Sequence, residues 1–334
     1  MTAPLPYPVL IAILCALVIL LFGASLLTGP AAIGFTDSLL ALLSGDAADA
    51  VTLVMREIRL PRAILGVMVG ASLGLTGAAL QGYLRNPLAE PGLLGISASA
   101  SLGAVLAIYT GLAAVLPLSL PVLALSTAIV AVLVVRLLAG GRSDAASLIL
   151  AGVAVTSFAG AMTALALNLS PNPFAALEIV YWMLGSLADR SMNHVWLAGP
   201  FMLVGWGMIA VLGRSLDALT LGEATAKSLG IRLDRVQALV VFGTAISVGA
   251  ATSVSGAIGF VGLVVPHLMR PLVGSRPSRL LLTSALSGAA LLLTADIAVR
   301  LIAPDSDLKL GVLTALVGAP FFLWLIVKTR RTLL

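Results

Sequence analysis

Almost every charged side chain in this sequence falls at the end of an apolar run long enough to cross a lipid bilayer. Ten such runs can be read, near residues 9–28, 62–83, 93–115, 118–138, 147–168, 194–213, 236–255, 258–273, 279–302 and 309–328. A spanning helix takes about 20 predominantly apolar residues, and a charge left at mid-bilayer costs about 2.5–3.5 kcal/mol on insertion scales. Runs of this length with charges at their ends predict an all-α membrane domain occupying residues 1–334, with lipid as its solvent. Only 10% of the residues are charged and 60% are hydrophobic, against roughly 25% charged in soluble domains.

The seventh and eighth runs are separated only by Ser255-Gly256, and the eighth is short. The segment before Leu27 contains no Lys or Arg and has a longer apolar core than a secretory signal, so it reads as a retained first span. Lysines and arginines at alternating connections set the orientation. With both termini in the cytoplasm, six of the 19 basic residues lie outside, namely Arg56, Arg59, Arg62, Arg190, Arg300 and Lys309; the other thirteen, among them Arg142, lie inside. The net charge of +5 therefore reads through topology, and aromatics at 5% offer no stacking surface for nucleic acid. The single cysteine, Cys15, excludes an intrachain disulfide and a Cys-cluster metal site.

Several stretches carry more than lipid solubility demands. Gly66, Gly70 and Gly74 recur every fourth residue, which places a groove for a neighbouring helix on one face. The same run holds Gly70-Ala71-Ser72-Leu73-Gly74, a formal serine-nucleophile pattern, but it sits inside a span rather than on a strand–turn–helix elbow. Arg85 to Gly95 reads as a charged cytoplasmic turn: Asn86-Pro87 ends one helix, Pro91-Gly92 begins the next, and Glu90 lies between. In the most polar inner loop, near 215–234, Leu221-Gly222-Glu223-Ala224-Thr225-Ala226-Lys227-Ser228-Leu229-Gly230 predicts a short surface helix. Glu223 and Lys227 stand at i, i+4 in the stabilising order there, and Gly230 is a C-cap. Such a helix is a docking knob for a cytoplasmic partner. His267 has no second ligand at metal spacing and reads as an interfacial residue.

Energy enters this chain from elsewhere. No Gly-Lys pair occurs, so a phosphate-cradling loop of that kind is missing from the sequence. The alternative is a proton-coupled carrier, which would keep an acid at the midplane; the nearest acid, Asp296, falls close to the outer end of the ninth span beside Arg300.

Taken together the motifs resemble the permease subunits of type II ABC importers, the family that takes up ferric siderophores, haem and cobalamin. The resemblance runs from about residue 50 to 328. It is carried by Arg-Leu-Pro-Arg at 59–62, Asn-Pro-Leu-Ala-Glu-Pro-Gly-Leu-Leu-Gly at 86–95, Leu-Gly-Glu at 221–223 with Leu-Gly-Ile at 229–231, the run 256–267 ending in Pro-His, Ala-Asp-Ile-Ala-Val-Arg at 295–300, and the run 311–322 ending in Ala-Pro-Phe-Phe. It implies ten spans, a second copy of the permease, two cytoplasmic ATPase subunits that bind ATP and Mg, a periplasmic binding protein and a bacterial inner-membrane location. It implies no cofactor or metal in this chain. Arg59, Arg62 and Arg300 would then receive acidic residues of the binding protein, and residues 223–231 would seat in the ATPase. The outer segment Asp189 to His194 departs from the family pattern.

Overall fold

The structure is a computed structural model; it describes residues 5–31, 33–43, 49–116, 118–140, 145–170, 172–303 and 308–333. Arg142, which entered the topology reading, lies outside the described residues. Among those described there are helices and no strand. Helix α1 (Tyr7–Leu27) is followed by the short helices α2 (Phe35–Leu43) and α3 (Ala50–Leu53), and α3 passes through a π-helical stretch, Val54–Arg59, into α4 (Leu60–Leu84). A 3-10 turn at Pro91–Leu94 leads into α5 (Ile96–Tyr109), then α6 (Leu112–Val115), α7 (Ser119–Leu138) and α8 (Ala145–Asn168). The second long connection holds α9 (Pro173–Met183). There follow α10 (Met192–Ala210), α11 (Gly213–Leu219), α12 (Glu223–Ser228), α13 (Leu233–Ser255), α14 (Val261–Met269), α15 (Pro277–Ile302) and α16 (Leu310–Leu333).

The ten-segment order holds, but two segments are not full spans. Among the described residues seven helices are long and apolar enough to cross alone, and α10 with α11, bent by 47°, makes an eighth if the pair is one span. Helix α5 has 14 residues and α14 has nine. At 1.5 Å per residue they reach about 21 and 14 Å, against about 30 Å of hydrocarbon. Shorter pieces flank both: Asn86–Glu90 and the 3-10 turn Pro91–Leu94 ahead of α5, and Gly256–Phe260 ahead of α14 with a 3-10 turn, Arg270–Val273, behind it. Such backbone survives at membrane depth only where protein covers it. Pro91, Leu94, Gly256 and Val261 are accordingly buried.

Helix α4 is the buried axis, and α15, α13, α14 and α10 pack around it. A Cβ on Gly70 would run into the Gly288 carbonyl, and one on Gly74 into the Ser284 carbonyl. One on Gly66 would lie 2.9 Å from the Leu293 side chain. The glycine face predicted for this span therefore lies directly on α15. Gly77, a turn further, meets the backbone of Gly262 on α14. A second group, α5 with α7 and α8, joins the first through α13. Ser72 lies wholly inside the first group, where its Oγ accepts the Trp206 Nε1–H at 2.9 Å. That burial closes the serine-nucleophile pattern off from any substrate.

Gly74→Leu should therefore lower the thermal stability of the detergent-solubilised protein, because overpacking a filled site costs about 1–3 kcal/mol. Gly23→Leu is the control, since nothing lies within 4 Å of an added Cβ there. Equal melting temperatures for the two variants would reject the α4–α15 contact as a determinant of the fold.

Candidate docking and coupling sites

At the outer end, Arg62 reaches from α4 to Asp296 on α15, donating from Nε and Nη2 to Oδ1 at 2.9 and 2.8 Å. Arg300 closes on the other oxygen, Oδ2, at 2.7 Å. Asp296 is 1% exposed. Both its oxygens accept from guanidiniums, so the acid that a proton-coupled carrier would need is already bound. Arg300 also donates through Nη1 to the carbonyls of Ser25 and Thr28, and Arg59 donates to those of Leu26, Leu27 and Ala31. These are the orphan carbonyls at and just beyond the C-terminus of α1, where a helix favours positive charge. Two of the three predicted outer arginines, Arg62 and Arg300, thus share the Asp296 carboxylate, and the third, Arg59, joins them through the end of α1 that it shares with Arg300. Arg59 is 4% exposed, and the side chains of Arg300 and Arg62 are 8% and 17% exposed. Each is engaged within the chain, and Arg62 is the most open.

The neighbouring outer segment has a local structural explanation. Arg190 donates to the Val254 carbonyl at the end of α13, and burial pushes its guanidinium below the usual arginine range, offset in part by Asp189. Ser191 and His194 cap α10 reciprocally.

The predicted cytoplasmic turn is only half superficial. Asn86 Oδ1 accepts the Leu88 N–H at 2.9 Å, which turns the chain at the inner end of α4. Pro87 lies in that turn, half-buried. Glu90 and Pro91 do not stay at the surface. Pro91 packs beside Gly262, which itself lies against the Leu73 carbonyl, eleven residues and about 16 Å back from the end of α4. Glu90 accepts the Phe260 backbone N–H ahead of α14. The segment re-enters the helix group because proline and glycine remove the hydrogen-bonded helix that would have held it straight. Behind it, the backbones of Leu93 and Leu94 press on Gly152 of α8.

At the inner face, α12 begins at Glu223 as the i, i+4 pattern predicts, but the ion pair does not form as expected. Glu223 binds Arg85 at 2.7 Å, while Lys227 is exposed. The distant guanidinium wins because Arg85, left-handed at φ 50°, ends α4 beside the start of α12. Ala226 is buried, whereas Ala224 and Gly230 are exposed, and Leu221 and Leu229 are 65% and 61% exposed. Gly222 at φ 97° makes the turn into the helix. The result is a small helix with one face seated and an apolar rim presented outward.

Between α16, the start of α14 and the end of α9 runs an open groove of about 630 Å³. Phe260, Gly311, Ala315 and Ala319 line it, with no charged side chain among its lining residues. Pro320, inside α16, belongs to the same wall. His267 stands edge-on to Phe321 at 5.7 Å between ring centroids, an interfacial contact.

Among curated relatives, a cobalamin import system permease of Halobacterium salinarum is 39% identical over 275 residues, 82% of this chain and 73% of that one. An Fe(3+)-citrate import system permease of Bacillus subtilis is 37% identical over 319 residues, 95% of this chain and 94% of that one. A metal-chelate type ABC transporter solved in an inward-facing conformation superposes with a TM-score of 0.85 at 30% identity, covering 96% of this chain and 99% of the other. Residues 17–328 match the FecCD transport family. The chain belongs to that family: it is a multi-pass inner-membrane permease subunit of an ABC importer, a transport component rather than an enzyme.

Proposed function

We propose that this permease carries a metal chelate from periplasm to cytoplasm by alternating access. In this reading two copies of the chain enclose the pathway, two cytoplasmic ATPases bind ATP and Mg, and a periplasmic binding protein delivers the cargo. The observation that carries it is the inner knob at 221–230, where two exposed leucines and Lys227 surround a helix whose opposite face is held by the permease itself. An apolar rim of this kind on an otherwise polar inner loop is a surface built to be covered by a water-soluble partner. Closure of the ATPases on ATP would move the knob, and the spans would rock to change the side on which the cavity opens.

A ferric siderophore or related chelate is the cargo proposed first, with haem and cobalamin as the alternatives; relatives named as permeases for Fe(3+)-citrate, hemin and cobalamin all match the chain. The uncharged groove supports a bulky cargo held by shape rather than by fixed ligands. Discrimination then rests with the binding protein. At the outer face two guanidiniums bind one carboxylate, and a third, Arg59, lies on the carbonyls where α1 ends. That excess of positive charge favours acidic residues on the two lobes of the binding protein.

Three outcomes follow from this reading. In proteoliposomes containing the permease with its ATPase and binding protein, uptake of radiolabelled ferric citrate, haem or cyanocobalamin should require ATP and survive collapse of the proton gradient. Transport by the permease alone, or loss with the gradient, overturns it. Arg62→Glu should weaken binding-protein docking most at low ionic strength, where the screening length exceeds the ~10 Å found at 0.1 M salt; docking equal to wild type at every salt would remove the outer cluster from the interface. Leu221→Asp with Leu229→Asp should weaken ATPase binding at least roughly tenfold, since a fully buried leucine contributes ~1.5–3 kcal/mol. An ATPase that co-purifies undiminished would place its seat elsewhere.

A further inference from the structure

The coupling segment stands on a single point of the permease, and three elements meet there. A Cβ on Gly82, in the last turn of α4, would touch both Leu216 of α11 and Pro277 at the start of α15, at 3.6 and 3.7 Å. Leu216, Leu219 and Ala226 bury the underside of α11 and α12. Two polar clasps then fix how that underside sits. Arg85, which ends α4, binds Glu223 at 2.7 Å. Asp217 on α11 accepts the Ser278 N–H at 2.8 Å and the Arg276 Nε–H at 3.0 Å. Ser278 lies in the first turn of α15, where backbone donors have no partner within the helix and a carboxylate is favoured. Burial pushes the Asp217 carboxyl up, but the hydrogen bonds from Ser278 and Arg276 and the guanidinium charge outweigh it and hold it below the usual range. The clasp is therefore charged at neutral pH.

Above this point α4 and α15 are one body. Their backbones touch at Gly70–Gly288 and Gly74–Ser284, leaving no side-chain layer to shear, and their outer ends are locked by Arg62, Asp296 and Arg300. We infer that Arg85 and Asp217 are positioning residues: they hold the coupling segment in fixed register on the α4–α15 pair, so that a push on the segment reaches the outer arginine cluster as movement of that pair. This rests on the reading of 221–230 as the ATPase seat. The ion pair between Arg85 and Glu223 is open to solvent on both sides, 48% and 44% exposed. Such a pair adds little stability, and its contribution is register.

The test uses the intact permease–ATPase complex in nanodiscs, in a Cys15→Ser background, with spin labels at Ile58→Cys and Thr225→Cys in one copy. Ile58 is exposed beside the outer end of α4, and Thr225 is exposed on α12. In the parent the distance between labels should be the same without nucleotide and with ATP plus vanadate. Arg85→Glu should shift the occupancy of the seated position by roughly two- to fivefold, the range of a solvent-exposed ion pair, and broaden the distribution. The charge exchange Arg85→Glu with Glu223→Arg should restore it. Arg276→Gln, acting on the second clasp, should broaden it as well and stands in if Arg85→Glu does not fold. A parent distance that changes with nucleotide, an unperturbed single variant, or an exchange that restores nothing would overturn the inference. Because the nucleotide-free measurement needs no seated ATPase, it separates failure of the clasp from failure of the ATPase-seat reading.

Discussion

In a membrane, apolar side chains gain nothing by meeting one another, because lipid tails are as apolar as they are. What holds this permease together is backbone meeting backbone. Helix α4 gives up side chains at Gly66, Gly70, Gly74 and Gly77, and the space goes to α15 and α14 at a separation that a methyl group would abolish. Helices α13, α14 and α10 pack around the same α4. Irregular chain lies beside it: Pro91 packs on Gly262, and Gly256 lies against Trp182 and Gly185, so that Pro91, Leu94 and Gly256 are buried while Gly92 and Gly259 stay exposed.

Charge sits at the two ends of this body and hardly within it. At the outer end a carboxylate almost without solvent is compensated by two guanidiniums, while two arginines in turn satisfy carbonyls where α1 ends. A buried ion pair of this kind adds little net stability, since desolvation offsets most of its attraction. Its effect is geometric. It joins α4, α15 and α1 at the face where a binding protein would arrive. At the inner end the pairs are exposed and weaker, and they join α11 and α12 to the same two helices.

The re-entrant chain at 86–95 links these ends to the rest of the molecule. It starts beside Arg85, turns at Asn86, passes Gly262 and reaches Gly152 of α8 before α5 begins. The inner end of α4 and the second helix group are therefore joined through this segment. A straight transmembrane helix would have provided no such link.

The amino-acid sequence by itself determined the lipid environment, the all-helical order of segments and the glycine face of α4. Each follows from local composition: run length, charge at run ends and four-residue spacing. It also made the family legible, through motifs that lie within a few residues of one another. Tertiary structure decided which charges meet. Glu223 had a partner four residues away and took one 138 residues away; Arg62 and Asp296, 234 apart in sequence, share hydrogen bonds that no spacing rule could anticipate. Of that pairing only Asp296 with Arg300 was visible, at i, i+4. The depth of Glu90 and Pro91 was hidden for the same reason: Pro and Gly announce that a helix stops, but where the chain goes next depends on a groove built by Leu73, Gly77 and Gly262 from distant parts of the sequence.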